Sequence, residues 1–275
     1  MKKRSFSRII VYLCLSLWAL TTIAPLLWVI NNSFKTSKQV INDSFSIAWN
    51  PTFEHYIEAF RLINIGQSYL NSLIMSGGTV FFTLLFGGMA AYALSRFRFR
   101  GRGVIQSLLV LSLLIPSFGT VIPVYELLIS LGIVNTYWAL IIPHTASFLP
   151  FTVLVIASFM STIPRELEEA ALIDGCGRGQ ILFKVFIPIT KPVFATAAIF
   201  VFLWSYNDLF SALVFVNYEG IKPVVVLLSF ISSQYGTNYG LMATAVTVTV
   251  IPVLILYLFI QKYIEKGVTA GAVKG

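Results

Sequence analysis

The sequence predicts an all-α polytopic membrane protein with six transmembrane helices and both termini on the cytoplasmic side (N-in/C-in). Three observations carry that expectation. The 275 residues are 57% hydrophobic and only 11% charged, against roughly 45–50% and about 25% in soluble domains. The apolar residues gather into six long runs. The basic residues collect between those runs, mostly at every second connection.

An apolar excess of this size would aggregate if it faced water, so it faces lipid or membrane-buried protein. A helix needs about 20 apolar residues to cross a hydrocarbon core of about 30 Å. The runs that meet this requirement lie at residues 9–30, 69–94, 104–129, 138–160, 187–209 and 241–263 of a single membrane domain covering residues 1–275. The first follows a basic Met-Lys-Lys-Arg start. It outruns the apolar core of a signal peptide, about 7–15 residues, and ends in Asn31-Asn32-Ser33, so it is expected to remain as a span. Pro25, Pro116, Pro123, Pro143, Pro150, Pro192 and Pro252 fall inside the runs. A soluble helix would lose about 3 kcal/mol at each. Membrane helices tolerate them, because neighbouring helices and Ser or Thr hydroxyls satisfy the freed carbonyls.

The net charge of +8 would suggest nucleic acid in a soluble protein. Here fifteen of the 19 Lys and Arg residues fall in, or at the run ends flanking, the N-terminus, the second and fourth connections and the C-terminus; Lys35, Lys38, Arg61 and Lys222 are the other four. That asymmetry orients the chain by the positive-inside rule and removes nucleic acid as the explanation of the charge.

Cys14 and Cys176 are far apart and form no disulfide or metal spacing. His55 and His144 have no Cys, His or acidic partner at ligand spacing, so both are read as structural and no metal is expected. The second run carries Gly77, Gly78, Gly87, Gly88, Ala90 and Ala91. Small residues at this density let helix backbones approach closely, whether the partner helix belongs to this chain or another.

The most informative connection spans residues 161–186. Ser161 or Thr162 is placed to cap a helix with Pro164 in its first turn. Glu166, Glu168 and Glu169 follow where the helix dipole favours acids, Ala170, Ala171 and Leu172 continue it, and Gly175 supplies a stop after Asp174. A second short helix then leads through Lys184 to Pro188. On residues alone this is a charged helix–turn–helix on the cytoplasmic face, and a solvated linker is the plain alternative.

Glu169-Ala170-Ala171, Gly175, Val185, Ile187 and Pro188 resemble the EAA signature of ABC-importer permeases, with Val185 and Ile187 in place of the usual Ile and Leu. The resemblance runs over nearly the whole chain: Tyr69-Leu70-Asn71-Ser72, Ala90-Ala91-Tyr92-Ala93-Leu94-Ser95-Arg96, Pro123-Val124-Tyr125, Leu131-Gly132 with Asn135-Thr136, and the ending Gly267–Gly275. These look like the carbohydrate-importer branch, in particular the smaller maltose-type permease. The resemblance implies a type I permease fold. It also implies that Glu169, Ala170, Ala171, Asp174, Gly175 and Pro188 belong to a coupling element docking on an ATPase subunit. Thr269, Gly271, Lys274 and Gly275 in the tail 264–275 become a candidate second ATPase contact, a frayed tail being the alternative.

The resemblance further implies a second, homologous permease subunit, an ABC ATPase dimer, an extracytoplasmic solute-binding protein, a carbohydrate substrate, and the cytoplasmic membrane of a prokaryote as location. No G-x-x-x-x-G-K-[ST] occurs, so ATP is expected on partner subunits, with no cofactor or catalytic residue on this chain.

Ionisable residues inside a membrane are functional candidates. Asp208 stands near the outer end of the fifth run, and Trp204, Tyr206, Asn207 and Asp208 form the candidate solute path, with an interfacial cap in an aromatic belt as the alternative. By resemblance, Tyr235, Gly236 and Asn238 in the last outer loop form a candidate contact with the binding protein. A polyol or glycerol phosphate importer remains an alternative. A secondary transporter fits less well, since intramembrane carboxylates and repeated halves are not evident.

Overall fold

Helices form along all six apolar runs, and two of the runs are sharply broken. The computed structural model describes residues 2–62, 64–226, 228–229 and 238–272. In chain order the helices are α1 (Lys2–Ser33), α2 (Ser37–Asn42), α3 (Glu54–Leu62), α4 (Ile65–Arg96), α5 (Arg102–Ser112), α6 (Ser117–Ser130), α7 (Trp138–Ser161), α8 (Glu166–Ile173), α9 (Arg178–Ile181), α10 (Ile187–Ile189), α11 (Lys191–Asn207), α12 (Leu209–Phe215) and α13 (Tyr239–Ala272). A π turn, Leu182–Phe186, joins α9 to α10. Among the described residues no strand occurs.

Three helical stretches are long and apolar enough to cross a membrane alone: Arg8–Ser33, Ile65–Arg96 and Trp138–Ser161. The run expected at 104–129 is instead two helices, α5 and α6, bent by 105°. Pro116 begins α6 in extended conformation, and proline biases the residue before it away from helix. The run expected at 187–209 is bent by 81° before Lys191 and ends at Asn207, where Asp208 starts α12. The apolar part of α13, Tyr239–Ile255, is shorter than the other spans. The helix itself continues to Ala272, well past the expected end at 263.

The chain divides into two units. The first holds residues 1–65 and 227–254. Its α1 leaves nearly all side chains from Arg8 to Leu27 exposed. Near the end of α1, Leu26, Val29 and Ile30 line a narrow apolar cleft with Val246, Val250 and Leu254 of α13. The start of α13 is bolted to the segment after α1. The Ser37 hydroxyl donates to Asn238 Oδ1, the Gly240 amide donates to Ser37 Oγ at 3.3 Å, and Thr244 Oγ1 donates to Ser33 O at 3.1 Å. Gly240 is required there, because a Cβ would meet Lys35 O at 2.7 Å and the His55 ring closer still.

The second unit holds residues 66–226 and 255–275. Its small-residue face on α4 meets helices of the same chain. A Cβ on Gly78 would lie 2.8 Å from Ile141 Cδ1, one on Gly87 2.8 Å from Thr152 Cγ2, and one on Gly88 2.7 Å from Phe194 Cζ. Thus α4 lies against α7 and α11, while Gly77 has open space beside it.

Polar residues at the start of α4 fix the segment after α12. Asn71 Nδ2 donates to Gly220 O at 3.1 Å and Lys222 O at 3.2 Å, its Oδ1 accepts from Tyr137 OH at 2.8 Å, and Ser72 Oγ accepts from the Val224 amide at 2.8 Å. Asn135, with φ +61°, accepts from the amides of Asn217 and Tyr218.

Candidate functional site

Two places in the second unit gather the residues singled out by the sequence: the α8 hairpin, and the junction of α11 with α12.

The hairpin differs from expectation at its start. Ser161 and Thr162 do not cap α8; their hydroxyls donate backward to Ser158 O at 2.6 Å and Phe159 O at 2.8 Å, closing α7. The first turn of α8 still carries Glu166, Glu168 and Glu169, whose charge offsets its unpaired amides. Its end follows the expectation. Gly175 has φ +80°, its amide donates to Leu172 O at 3.0 Å, and the Cys176 amide donates to Ala171 O at 3.0 Å. These are the two hydrogen bonds of a Schellman stop. Open space surrounds a Cβ at Gly175, so the backbone angle alone demands glycine.

The hairpin then turns into α9, where Gln180 Oε1 accepts from the Gly177 amide at 3.0 Å. Pro188 lies in α10, after the π turn in which the Ile187 amide reaches back to Leu182 O. It therefore belongs to the bend that leads into α11 and not to α8.

The two alanines of the signature part company. Ala171 is buried with Met160, Ile163, Ile181 and Phe186, so its small size serves packing within the chain. Glu169, Ala170, Asp174 and Gly175 are exposed. With them stands Ile173, 87% exposed, an apolar side chain on the open face that the sequence reading did not single out.

Arg96, at the end of α4, joins the hairpin to the spans. Its side chain is only 3% exposed. Nη2 donates to Met160 O at 2.8 Å and Ile163 O at 2.7 Å, at the end of α7 where the Ile163 amide also donates to Met160 O at 3.2 Å. Glu168 Oε2 lies 4.0 Å from Nε, and the guanidinium sits 4.5 Å from the centre of the Phe186 ring. One cation thus touches α4, α7, α8 and the π turn before α11. In the sequence Arg96 has no evident partner and stands as a basic residue of its connection and the end of a resembling stretch; the carbonyls it serves lie 64 and 67 residues away.

At the second place, His144 of α7 gains the partners its sequence neighbourhood lacked. Its Nδ1 is 3.0 Å from Ser205 Oγ and its Nε2 is 3.0 Å from Asp208 Oδ2. Asp208 Oδ1 accepts from the Ser211 amide at 3.1 Å, so Asp208 caps α12 and ties α7 to the helix break together. Among the described residues no group of His, Cys, Asp and Glu has metal-site geometry.

The four candidate path residues do not share a surface. Trp204 lies edge-on to Phe151 at 4.9 Å and contacts Phe148 at 5.4 Å and Phe200 at 5.7 Å. This half-exposed aromatic strip leads to His144 and Asp208 through Phe148, 5.5 Å from the His144 ring. Asn207 is exposed beside it, though its amide donates to Leu203 O at 2.8 Å. Tyr206 is only 5% exposed and stacks on Phe202 at 5.5 Å, so it points into the fold and away from Trp204.

Of the outer-loop candidates, Tyr235 and Gly236 lie outside the described residues. Asn238 is engaged internally, its Oδ1 accepting from Ser37 and from the Leu241 amide. It anchors the start of α13 through that oxygen. In the tail, the backbone of Thr269 and Gly271 continues α13, whereas Lys274 and Gly275 lie outside the described residues.

Known proteins agree with this architecture. Residues 83–270 match the family model described as binding-protein-dependent transport system inner membrane component. The diacetylchitobiose uptake system permease protein NgcG of Streptomyces coelicolor is 37% identical over 260 residues, covering 94% of this chain and 86% of that one. The melibiose/raffinose/stachyose import permease protein MelC of Bacillus subtilis is 33% identical, covering 82% of each. A solved chain of a bacterial ABC transporter involved in import of the acidic polysaccharide alginate superposes with a TM-score of 0.81 at 25% identity, over 96% of this chain and 98% of that one. The chain belongs to the binding-protein-dependent transport system inner membrane components and is the permease subunit of an ABC importer, not an enzyme.

Proposed function

We propose that this permease carries carbohydrate, sugars or oligosaccharides, across the cytoplasmic membrane of a prokaryote, with a second homologous permease, an ATPase dimer and an extracytoplasmic binding protein. Both termini then lie in the cytoplasm. The substrate class rests on two supports: the sugar uptake named for the relatives, and the aromatic strip of Phe148, Phe151, Phe200 and Trp204 ending at Asn207 and Asp208. Aromatic faces cover the apolar C–H faces of a sugar ring, while amide and carboxylate groups hydrogen-bond its hydroxyls.

The observation that carries the mechanism is the buried Arg96. The exposed residues Glu169, Ala170 and Ile173 of α8 form the face that meets the ATPase. Arg96 then transmits displacement of α8 to α4, α7 and α11 as one rigid body. Alternating access follows from such motion, because packed helices switch between discrete arrangements instead of deforming continuously. The tail around Thr269 and Gly271 is a second candidate ATPase contact.

The test uses membranes holding the whole assembly with its binding protein. ATP hydrolysis is recorded with and without a panel of mono- and oligosaccharides, for wild type and Glu169→Lys. Sugar-stimulated hydrolysis that Glu169→Lys uncouples from uptake supports the reading. Stimulation unchanged by Glu169→Lys removes Glu169 from the coupling face. No response to any sugar, from an intact assembly, overturns the substrate class.

A further inference from the structure

The segment between α1 and α4 turns large apolar side chains outward from two separate elements. In the loop before α3, Phe45 is 88% and Trp49 81% exposed, with Ile47 also exposed between them. The intervening Ser44, Ser46 and Ala48 are half-buried. Just before and along α3, Phe53, Ile57 and Phe60 are exposed at spacings of four and three residues, which puts them on a single stripe at helical spacing. The opposite face of α3 buries His55 and Ala59. Within α3, the exposed Ile57 and Phe60 are therefore not on the buried face that His55 and Ala59 present to the fold.

The loop is a built structure. Asn31 clamps it twice, donating from Nδ2 to Ser46 O at 2.7 Å and accepting at Oδ1 from the Ala48 amide at 3.0 Å. Lys35 is buried, and among the described residues it forms no salt bridge with a carboxylate. Its ammonium group donates instead to Asp43 O at 2.8 Å, Ser46 O at 2.6 Å and Ser46 Oγ at 3.2 Å. A buried cation is tolerated only where its hydrogens are satisfied, and here all are spent on shaping this loop. The start of α3 is fixed as well. Thr52 donates its amide to Phe34 O at 2.8 Å, Tyr56 OH pairs with Ser33 Oγ at 2.7 Å, and Phe34 lies against Phe53 and Tyr56 at 5.5 and 5.4 Å.

The depth of this assembly follows from α1. Its apolar run at residues 9–30 is about 33 Å long at 1.5 Å per residue, enough to cross the hydrocarbon core once. Asn31, Ser33, Phe34 and Lys35 come immediately after it, and they are the residues that hold the loop and α3. The outward apolar side chains are thereby fixed at the level where chains meet headgroups. Phe45 also touches Trp28 of α1, ring centres 6.2 Å apart, which makes its surface continuous with that of the membrane helix.

We infer that residues 41–61 form an interfacial collar, lying in the plane of the membrane with Phe45, Ile47, Trp49, Phe53, Ile57 and Phe60 embedded at the boundary between acyl chains and headgroups of the leaflet opposite the N-terminus. A surface-lying amphipathic element with aromatic residues on its apolar side has this physics. The collar would fix the depth and tilt of α1 and, through Ser37 and Asn238, of the start of α13. The inference requires α1 to cross the membrane and is independent of what the importer carries.

Site-directed spin labelling of the assembled transporter in nanodiscs of phosphatidylethanolamine and phosphatidylglycerol tests it. Single cysteines replace Phe45, Trp49, Ile57 or Phe60, with Asn42→Cys and Asn50→Cys as controls, in a Cys14→Ser, Cys176→Ser background. Labels at the four apolar positions are expected to collide more with dissolved oxygen than with a water-soluble nickel chelate, and the two controls the reverse. Nickel-dominated collisions at the apolar positions mean a water-facing surface. Low collisions with both reagents mean a covering protein chain. Either outcome overturns the collar. Native Trp49 gives a second readout that needs no cysteine: its fluorescence, isolated as the difference between wild type and Trp49→Phe, should be quenched by lipids brominated high in the acyl chain. Quenching by aqueous acrylamide instead overturns the proposal.

Discussion

Arg96 and Ile163 are joined by a 2.7 Å hydrogen bond from a guanidinium nitrogen to a main-chain carbonyl, at the point where α7 gives way to the α8 hairpin. A second bond from the same nitrogen to Met160 means that α4 cannot move away from the end of α7 without giving up two charge-assisted hydrogen bonds. Hydrogen bonds to a charged group contribute about 1.5–3 kcal/mol each. The hairpin is thus a lever with a fixed attachment.

Arg96→Lys should keep the transporter assembled while lowering uptake per ATP hydrolysed, because a compact ammonium cannot at once reach the two carbonyls, approach Glu168 and lie over the Phe186 ring as the planar guanidinium does. Arg96→Ala should in addition destabilise the complex by about 3–5 kcal/mol, the usual cost of removing one member of a buried charged group's network. Uptake and hydrolysis measured together in proteoliposomes check the first statement, and thermal unfolding checks the second.

Gly175→Ala tests the stop of α8. The position needs φ +80°, and a Cβ there costs about 1–2 kcal/mol without any clash to relieve. The expected result is impaired coupling of hydrolysis to uptake with only a small fall in overall stability. A large loss of assembled complex would show that the turn supports the whole fold.

At the break between α11 and α12, Asp208→Asn and Asp208→Ala should separate two roles. Asparagine remains a good helix cap and loses only the charged bond to His144. Alanine loses both, so it should be the more destabilising by about 0.5–2 kcal/mol, the worth of a cap. A double-mutant cycle with His144→Ala, read by thermal unfolding, should give a coupling of about 0.5–3 kcal/mol. Additive effects would mean that the 3.0 Å contact holds nothing.

Trp204→Ala should raise the sugar concentration needed for half-maximal uptake, since it removes the centre of the aromatic strip. Tyr206→Phe should leave that concentration unchanged, because Tyr206 is buried and stacks on Phe202. Equal effects from both would place the solute elsewhere. Uptake titrations on the reconstituted transporter with its binding protein decide between these results.

Gly87→Leu should be among the most damaging changes on α4. A Cβ alone already meets Thr152 Cγ2 at 2.8 Å, and overpacking a filled interior typically costs about 1–3 kcal/mol or more. Gly77→Leu, beside open space, should be far milder by the same thermal assay.

Much of this protein was legible in its residues. The lengths of the apolar runs and the distribution of Lys and Arg needed no tertiary information, because the thickness of the hydrocarbon core and the cost of moving charge across it act on local sequence. The stop at Gly175 was equally readable, since only backbone angle is at stake there. The joined positions of Arg96 with Met160 and Ile163, of His144 with Asp208, and of Lys35 with the loop it organises were not readable, because each pairs groups brought together only by helix packing or by the path of a loop. Likewise, the spacing of Trp204, Tyr206, Asn207 and Asp208 proposed one surface. Which of these side chains faced outward was decided by the helices packed around α11, which buried Tyr206 and left Trp204 half-open. Chain composition and length determined that this protein belongs in a membrane and is helical. The contacts between helices alone decided which of its residues bear the load and which remain free to meet a partner.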